Sequence, residues 1–208
     1  MRNKRMTAKK ELFYNEFADQ WESKINNWET QKRIKIIFGQ LLKNEDLKNK
    51  KFLEIGCGLG YFSETALKKN AKVTGVDIGD RLINITQKRV KKGKFIVASA
   101  SKLPFRDETF DTILCTEVIE HVNDQNKAIK EMFRVLKFGG VLVITTPNRF
   151  YKPLFDLLSL IRIRPYHGNE NWIYLGDLRS RFYQLGLVVE LELYFNLYIN
   201  YGLRFIKT

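Results

Sequence analysis

The stretch Lys51-Phe-Leu-Glu-Ile-Gly-Cys-Gly-Leu-Gly60 decides the fold of this chain. Its first half is a short apolar run of the kind that forms a buried strand, and the run stops at glycines on alternate positions. Glycine lacks a Cβ atom, so the backbone there can turn sharply and a ligand can approach it closely. The pattern of Tyr61–Leu67 indicates the first turns of a helix. Strand, glycine loop and helix in this order predict a nucleotide-binding layout.

The spacing of the glycines separates two classes of cofactor. A dinucleotide fingerprint is G-x-G-x-x-G, and counted from Gly56 its third glycine falls on Tyr61. A nicotinamide oxidoreductase is therefore disfavoured. Glu54, an acid at the end of the strand, suits a ligand that carries a cation rather than a pyrophosphate. A plain glycine turn between strand and helix is the alternative that the stretch alone leaves open.

The stretch resembles the first motif of the class I S-adenosylmethionine-dependent methyltransferases, E/D-x-G-x-G-x-G, at every fixed position. The resemblance covers roughly residues 50–148, and Leu136–Asn148 is similar to the family's L-K-P-G-G-x-L-x-x-x-x-P-N with Phe138 in place of proline. It implies a Rossmann-like α/β fold, a doubly wound seven-stranded sheet that is mostly parallel with an antiparallel last strand and has helices on both faces. The alternation of strand and helix patterns independently favours α/β.

The resemblance also implies a binding site for S-adenosylmethionine. Glu54 and the loop residues Gly56, Cys57, Gly58 and Gly60 would hold the methionine moiety. Asp77 follows Gly56 by 21 residues and ends the predicted strand Ala71–Val76, which is about the spacing at which an acid binds ribose hydroxyls, with Ile78 beside it. The alternative for Asp77 is a cap on the next helix, although Asp80 can serve there.

The adenine and the transferred methyl group have their own expected contacts. Ala98-Ser-Ala-Ser-Lys-Leu-Pro-Phe105 resembles the family's adenine-binding loop, which places Ser99 and Ala100 near adenine. The family's usual aspartate is Ser99 here, and a hydroxyl carries no charge, so lower cofactor affinity is expected. Thr116 and Glu117 would line the floor beneath the methyl group.

Glu117, Glu120 and His121 stand at i, i+3 and i+4, so they would share one face of a helical turn. The cluster resembles the E-x-x-E-H of ubiquinone-pathway O-methyltransferases, whose carboxylates and histidine are associated with a divalent metal. It predicts these three residues as ligands of a magnesium ion, with His121 as the catalytic base. Pocket wall or helix structure is the alternative for the same residues.

The flanks match the family only loosely. Leu12, Phe13, Phe17 and Trp21 recur at near-helical spacing, and a second helix is predicted over Trp28–Leu42. Such N-terminal aromatic helices fold over the site in similar methyltransferases, which implies that residues 1–48 are a helical segment covering the site and residues 49–208 are the methyltransferase domain. On periodicity alone, residues such as Phe13, Tyr14 and Trp21 face a core.

Residues 147–172 form a predicted lid-like insert. Pro153 and Pro165 bracket a helix with a wide apolar face and a narrow polar stripe. Cations flank it at Arg149, Lys152, Arg162 and Arg164. This distribution predicts peripheral membrane contact through residues 149–164, or contact with a lipid-like acceptor. The alternative is that the apolar face packs on the domain's own core.

Charge and composition limit the partners and the compartment. The 208 residues carry a formal charge of +13, and the lysines are scattered along the sequence without an arginine-rich arm. The N/D-P-P-Y/W/F motif of base methylation is also absent. A nucleic-acid partner is therefore disfavoured. No apolar run reaches the length of a transmembrane helix, and the N-terminus lacks the apolar core of a signal peptide. Cys57 and Cys115 sit beside apolar runs, which predicts buried free thiols. Together these features predict a cytoplasmic protein that is also able to associate with a membrane surface.

The function expected from the sequence is S-adenosylmethionine-dependent methyl transfer to a small-molecule or lipid-like acceptor, with oxygen as the expected acceptor atom. The alternative is a cofactor-binding regulatory or assembly protein of the same fold without turnover.

Overall fold

Seven strands form one sheet within residues 27–160 and 170–208, the part of the chain that a computed structural model describes. The strands follow the order β3-β2-β1-β4-β5-β7-β6 across the sheet. β1 to β5 pair in parallel, and β7 is antiparallel to both β5 and β6. This confirms the predicted doubly wound, mostly parallel sheet. The strands are β1 Lys51–Ile55, β2 Lys72–Asp77, β3 Lys94–Val97, β4 Phe110–Thr116, β5 Leu136–Pro147, β6 Leu187–Phe195 and β7 Asn200–Lys207.

Helices cover both faces of the sheet. The crossovers from β1 to β2 and from β2 to β3 step in the same direction, and the crossover from β4 to β5 steps in the other. Because parallel crossovers are right-handed, the helices of the first two lie on one face and the helix of the third lies on the opposite face. The helices are α1 Asn27–Ile36, α2 Tyr61–Lys68, α3 Asp80–Arg89, α4 Gln125–Val135, α5 Lys152–Leu160 and α6 Leu175–Tyr183, with shorter helical turns at Ile37–Leu41, Ile119–His121 and Arg149–Tyr151.

The strand order reverses between β1 and β4, and ligands of open α/β sheets bind at such a switch point, beyond the carboxyl ends of the strands. We call this end of the sheet the carboxyl edge and the opposite end the amino edge. The residues of β1 that hold it in place, Phe52, Leu53 and Ile55, are almost fully buried. Glu54 and Asp77 therefore lie at the carboxyl edge on rigid supports.

Two element boundaries differ from the prediction. The predicted helix Trp28–Leu42 changes at Ile37 from an α-helix to a π-helical turn, which lets Ile37, Phe38 and Leu41 all be buried. The sequence pattern also predicts a fifth strand over Val141–Thr145. β5 instead begins at Leu136, because Leu136 already pairs with Phe110, and a register shift then absorbs the glycines before Val141 pairs with Thr112.

The lysines are gathered, not scattered, in three dimensions. Lys51 and Lys72 start neighbouring strands and are register partners, and Lys94 starts β3. The α2 and α3 helices end on the same side, because helices in parallel crossovers run opposite to the strands. The amino edge thus collects the exposed lysines Lys43, Lys48, Lys50, Lys51, Lys68, Lys69, Lys72, Lys88, Lys91, Lys92 and Lys94.

Some expectations fall beyond the described residues. The predicted helix with Leu12, Phe13, Tyr14, Phe17 and Trp21 lies outside them, as do residues 161–169 of the predicted insert. In the part of the chain that is described, no helix has the length and apolar character needed to cross a bilayer.

Candidate functional site

A cavity of about 670 Å³ opens at the carboxyl edge, between the ends of β1, β2 and β4 and the helix α1. Two of the predicted site residues, Gly60 and Glu120, do not line it. The other predicted residues do, and the structure brings them together on one surface: Glu54, Gly56, Cys57, Gly58, Asp77, Ile78, Ser99, Ala100, Thr116, Glu117 and His121.

The glycine loop needs glycine for different reasons at each position. All three glycines have positive φ, with values of 71° at Gly56, 47° at Gly58 and 74° at Gly60. A Cβ atom at Gly56 would lie 2.2 Å from a methyl carbon of Val118, and one at Gly60 would lie 2.6 Å from Cγ2 of Thr86. At Gly58 no atom of the described residues lies within 4 Å of that position, so the open cavity side of this glycine can accept a ligand. Gly60 therefore serves packing, whereas Gly58 leaves the backbone of the loop open to the cavity.

Helix α3 holds the glycine loop in place. The Thr86 hydroxyl donates to the carbonyl of Gly58, and the Arg89 guanidinium donates to the carbonyl of Leu59. Arg89 also donates to Glu64 at 2.6 Å and lies 3.8 Å from the centre of the Tyr61 ring. These contacts fix the loop before any ligand arrives, which lowers the entropy cost of binding.

Glu54 is a buried carboxyl group at the cavity wall. It accepts a hydrogen bond from the hydroxyl of Ser63 on α2. Burial raises its pKa to about 8, while the bond from Ser63 opposes the shift. A positively charged ligand group beside Glu54 would offset this cost by favouring the ionised form. The site is thus prepared for a cation.

Asp77 links the glycine loop to α3. Its carboxylate accepts the backbone N–H of Gly58 at 2.9 Å and that of Gly79 at 3.0 Å. Burial raises the pKa of Asp77, and the two backbone bonds oppose the rise. Because each carboxylate oxygen has two acceptor positions, the group keeps capacity for hydroxyls of a ligand in the cavity. Asp80 begins α3 and accepts the N–H of Arg81 at 2.8 Å.

The adenine-binding loop predicted from the sequence is held rigidly by α4. Glu131 accepts the backbone N–H of Leu103 at 2.7 Å, and Arg134 donates to the carbonyl of Phe105 at 2.7 Å. Ser99 accepts the N–H of Ser101 at 3.2 Å, and Ala100 is buried beneath. The Ser99 hydroxyl still has a proton to donate and a second lone pair for a ligand.

The floor of the cavity is built around Glu117, which has a φ of 52°. Its side chain accepts from Thr145 Oγ1 at 2.9 Å and from Asn200 Nδ2 at 2.8 Å. Burial raises the pKa of Glu117, and Arg33, whose Nη1 lies 3.7 Å away, opposes the shift. Three separate elements, β5, β7 and α1, thus meet at this one carboxylate.

The predicted helical face with three metal ligands does not form. The helical turn covers only Ile119–His121, and Glu117 precedes it in a left-handed conformation. Glu120 is buried and accepts from Thr146 Oγ1 at 3.0 Å, away from the cavity. Within the described ranges, no group of three histidine, cysteine or acidic side chains is able to hold a metal ion. The magnesium prediction for Glu117, Glu120 and His121 is therefore corrected.

Arg33 and Asn200 also belong to the site, although no sequence pattern predicts them. Arg33 projects from α1 into the cavity wall, donates to Glu29 at 2.8 Å, and its buried Nε has no acceptor among the described residues. The sequence around Arg33 does not distinguish it from other cations on an amphipathic helix.

Cys57 and Cys115 are buried free thiols, as predicted, and burial raises the pKa of both well above the ordinary value.

Several known proteins have sequences similar to this chain. A family model described as "Methyltransferase domain" matches residues 53–144. A protein of Pseudomonas fluorescens named ubiquinone biosynthesis O-methyltransferase is 31% identical over 159 residues, which cover 70% of this chain and 67% of that protein. A protein of Pelagibacter ubique with the same name is 37% identical over 131 residues, or 58% of this chain, and the match spans about half of that protein, 54%.

Solved structures agree on the fold. The PH0226 protein of Pyrococcus horikoshii has a TM-score of 0.74 at 25% identity, covering 89% of this chain and 94% of that one. Magnesium protoporphyrin IX methyltransferase of Synechocystis, solved with bound SAH, has a TM-score of 0.79 at 15% identity, covering 98% and 100%. Sequence and fold together show that the chain belongs to the class I S-adenosylmethionine-dependent methyltransferases.

Proposed function

We propose that this chain transfers the methyl group of S-adenosylmethionine to an oxygen of a small, lipid-like acceptor. One observation carries the proposal: the cavity at the switch point combines buried carboxylates at the ends of β1 and β2 with an open glycine loop and a cation from α1. The names of the relatives from Pseudomonas and Pelagibacter support an oxygen acceptor.

The residues present suit each part of the cofactor. The methionine end carries an ammonium and a carboxylate, which complement Glu54 and the guanidinium of Arg33 in the cavity wall. Cys57 and Gly58 give the backbone approach, and Asp77 with Ile78 suits the ribose. Ser99 and Ala100 suit the adenine, and Thr116 and Glu117 lie on the floor of the cavity.

The cofactor supplies an electrophilic methyl group on a sulfonium that is already a good leaving group. The protein therefore has to align the acceptor oxygen with that methyl group and to receive its proton. His121 lines the cavity and is the candidate base, because a neutral imidazole accepts a proton near neutral pH. Its Nε2 lies 3.9 Å from Oε1 of Glu120, a buried carboxyl whose pKa is raised well above its ordinary value by burial and by the nearby Glu117.

The flanks would complete the site. We assign residues 1–48 as the helical segment that covers it and residues 49–208 as the methyltransferase domain, with residues 147–172 as a lid. Support comes from Glu29, Thr30 and Arg33 of α1, which line the cavity. The exposed Leu154 and Leu157 of α5 support contact of residues 149–164 with a membrane or a lipid-like acceptor, and hence peripheral membrane association.

Calorimetry with S-adenosylhomocysteine and with NAD tests the cofactor. S-adenosylhomocysteine should bind and NAD should bind more weakly or not at all, and tighter binding of NAD would overturn the proposal. Methyl transfer should then be followed with hydroxylated aromatic acceptors that carry prenyl chains of increasing length. Cofactor binding without transfer to any hydroxyl acceptor would favour the regulatory alternative.

A His121→Ala variant tests the base. It should lower turnover by roughly 10²–10⁴-fold while S-adenosylhomocysteine affinity stays close to that of the wild type. If His121 is the base, the turnover of the wild type should fall at low pH, where His121 is protonated. This fall should be absent in the variant. Full turnover in the variant would leave alignment as the only contribution of the protein.

A further inference from the structure

Two segments at the carboxyl edge are joined into one exposed apolar surface. The turn between β6 and β7 is tied to the start of the insert, because Asn148 donates from its Nδ2 to the carbonyl of Tyr198 at 3.1 Å and from its backbone N–H to Ile199 at 2.7 Å. Tyr151 donates to the carbonyl of Leu197 at 3.3 Å. We call the resulting surface the apolar platform, and its exposed side chains are Phe150, Leu154, Leu157, Tyr194, Leu197 and Tyr198.

The turn that forms part of the platform is strained. Asn196, Leu197 and Tyr198 have φ values of 51°, 56° and 66°, a left-handed region that disfavours bulky side chains. Leu197 is 86% exposed and Tyr198 is 65% exposed, so burial does not offset the strain. Asparagine or glycine would suit the backbone better at both positions. Backbone strain that exposes apolar side chains to water indicates a functional contact.

The turn is also connected to the cavity. Asn196 donates from Nδ2 to Oδ1 of Asn200 at 3.2 Å, and Asn200 donates to the floor residue Glu117 at 2.8 Å. The platform thus lies two side-chain hydrogen bonds from the cavity wall. A lipid held at the platform would have its head group close to the site.

The composition of the platform suits a bilayer surface better than a protein core. Tyr194 and Tyr198 have ring centres 5.5 Å apart and combine an apolar ring with a polar tip, the property that places tyrosine at membrane interfaces. Phe150 packs against Tyr174, and the exposed Arg149 has its guanidinium 4.5 Å from the centre of the same ring. This cation complements anionic head groups.

We infer that the turn Asn196–Tyr198 is an interfacial anchor that inserts Leu197 and Tyr198 into an anionic lipid surface beside α5. The inference rests on the proposed function in so far as the acceptor is lipid-like. The turn is distant in sequence from the insert, and the inference makes it a second membrane-binding element of the chain beside the insert. The anchor orients the carboxyl edge, and with it the cavity, toward the lipid.

A double variant with Leu197→Asn and Tyr198→Asn separates this role from a structural one. Asparagine tolerates the left-handed backbone, and the main-chain carbonyls that bond Asn148 and Tyr151 remain. We expect co-sedimentation with vesicles of phosphatidylcholine and phosphatidylglycerol to weaken by roughly 10- to 100-fold, because two large side chains no longer enter the interface. The melting temperature should stay equal or rise, and affinity for S-adenosylhomocysteine should not change.

Two matched variants make the outcomes distinct. Val188→Asn removes an exposed apolar residue at the far end of β6 and should leave vesicle binding unchanged. Leu154→Asn with Leu157→Asn tests α5 alone. Unchanged vesicle binding by the turn variant would overturn the inference, whether or not the α5 variant binds. The inference would also be overturned if the wild type does not bind vesicles and instead forms a dimer that the turn variant disrupts. In that case, methyl transfer to a detergent-solubilised acceptor would leave the proposed function intact.

Discussion

The two edges of the central sheet hold charge in opposite ways, although the same strands supply both. β1 starts with the exposed Lys51 and reaches the buried Glu54 near its end, and β2 starts with the exposed Lys72 and ends at the buried Asp77. At the amino edge the lysines that begin β1, β2 and β3 stay in water, where a charge costs little. At the carboxyl edge the carboxylates are removed from water, which is costly unless a partner compensates. The difference between the two edges indicates that the functional site is marked by charged groups removed from water, and not by charge alone.

The largest difference is expected between two glycines with similar backbones. Gly56 at the carboxyl edge has a φ of 71°, and Gly139 at the amino edge has a φ of 67°. Gly56→Ala adds a clash with Val118 to the strain of a left-handed alanine, so we expect a loss of about 2–5 kcal/mol in unfolding free energy and loss of S-adenosylhomocysteine binding. Urea denaturation and calorimetry measure both effects.

Gly139→Ala is the control. No atom of the described residues lies within 4 Å of the added Cβ position, so only backbone strain of about 1–2 kcal/mol is expected, with cofactor affinity unchanged. Equal stability losses in the two variants would show that Val118 moves aside without cost and would remove the steric part of the comparison.

A smaller difference is expected between two aspartates. Asp77→Asn should weaken S-adenosylhomocysteine binding by about 1.5–3 kcal/mol, because an amide replaces the charged acceptor of ribose hydroxyls. Asp111 at the amino edge accepts the N–H of Lys51 at 2.8 Å and pairs with Lys137 at 2.7 Å. Asp111→Asn should leave cofactor affinity unchanged and lower stability only slightly. If both variants bind equally well in calorimetry, Asp77 does not contact the ribose.

The smallest expected effect is the release of a proton when the ligand binds. Because Glu54 has a pKa of about 8 in the free protein, it is mostly protonated at pH 7, and a ligand ammonium beside it lowers that pKa. Binding of S-adenosylhomocysteine at pH 7 should therefore release nearly a full proton, a release that vanishes well above pH 8 and in Glu54→Gln. Calorimetry in two buffers with different ionisation enthalpies measures it. Equal release by the glutamine variant would assign the proton to another group.

The same carboxyl group affects stability without ligand. The folded pKa of about 8 lies above the ordinary value of 4.5, so the folded state binds more protons than the unfolded state between these pH values. The contribution of Glu54 to the unfolding free energy therefore falls as pH rises from about 4.5 to about 8. Glu54→Gln should flatten the pH profile of the melting temperature in this window. A profile that is the same in both proteins would contradict the burial of an ionisable group there.

The sequence predicted what depends on local pattern. The glycine loop, the strand–helix alternation and the acids at the strand ends have local signatures, and these elements are where the prediction placed them. Arg33 and Asn200 carried no such signature, because a cation or an amide on an amphipathic element has the same pattern whether it faces water or a distant carboxylate. The three-ligand interpretation of Glu117, Glu120 and His121 failed because it assumed a helix where Glu117 adopts a left-handed conformation.

The amino edge was missed for a related reason. Lysines that are far apart in sequence become neighbours only when β1, β2 and β3 pair, and neither their spacing nor their local composition records the register of that pairing. The π-helical turn at Ile37–Leu41 was likewise hidden, since a single glycine inside a helical pattern, here Gly39, does not by itself indicate a π-helical turn.

The position of β7 inside the sheet has a consequence for how the protein is made. β7 follows β6 in the chain but lies between β5 and β6, and its first residue, Asn200, is a partner of Glu117. On the ribosome, β1 to β5 can pair while the segment that supplies Asn200 is still in the exit tunnel. The floor of the cavity is then complete only after β7 has inserted between β5 and β6. Glu117 therefore gains its hydrogen bond from Asn200 only in the last step of sheet assembly.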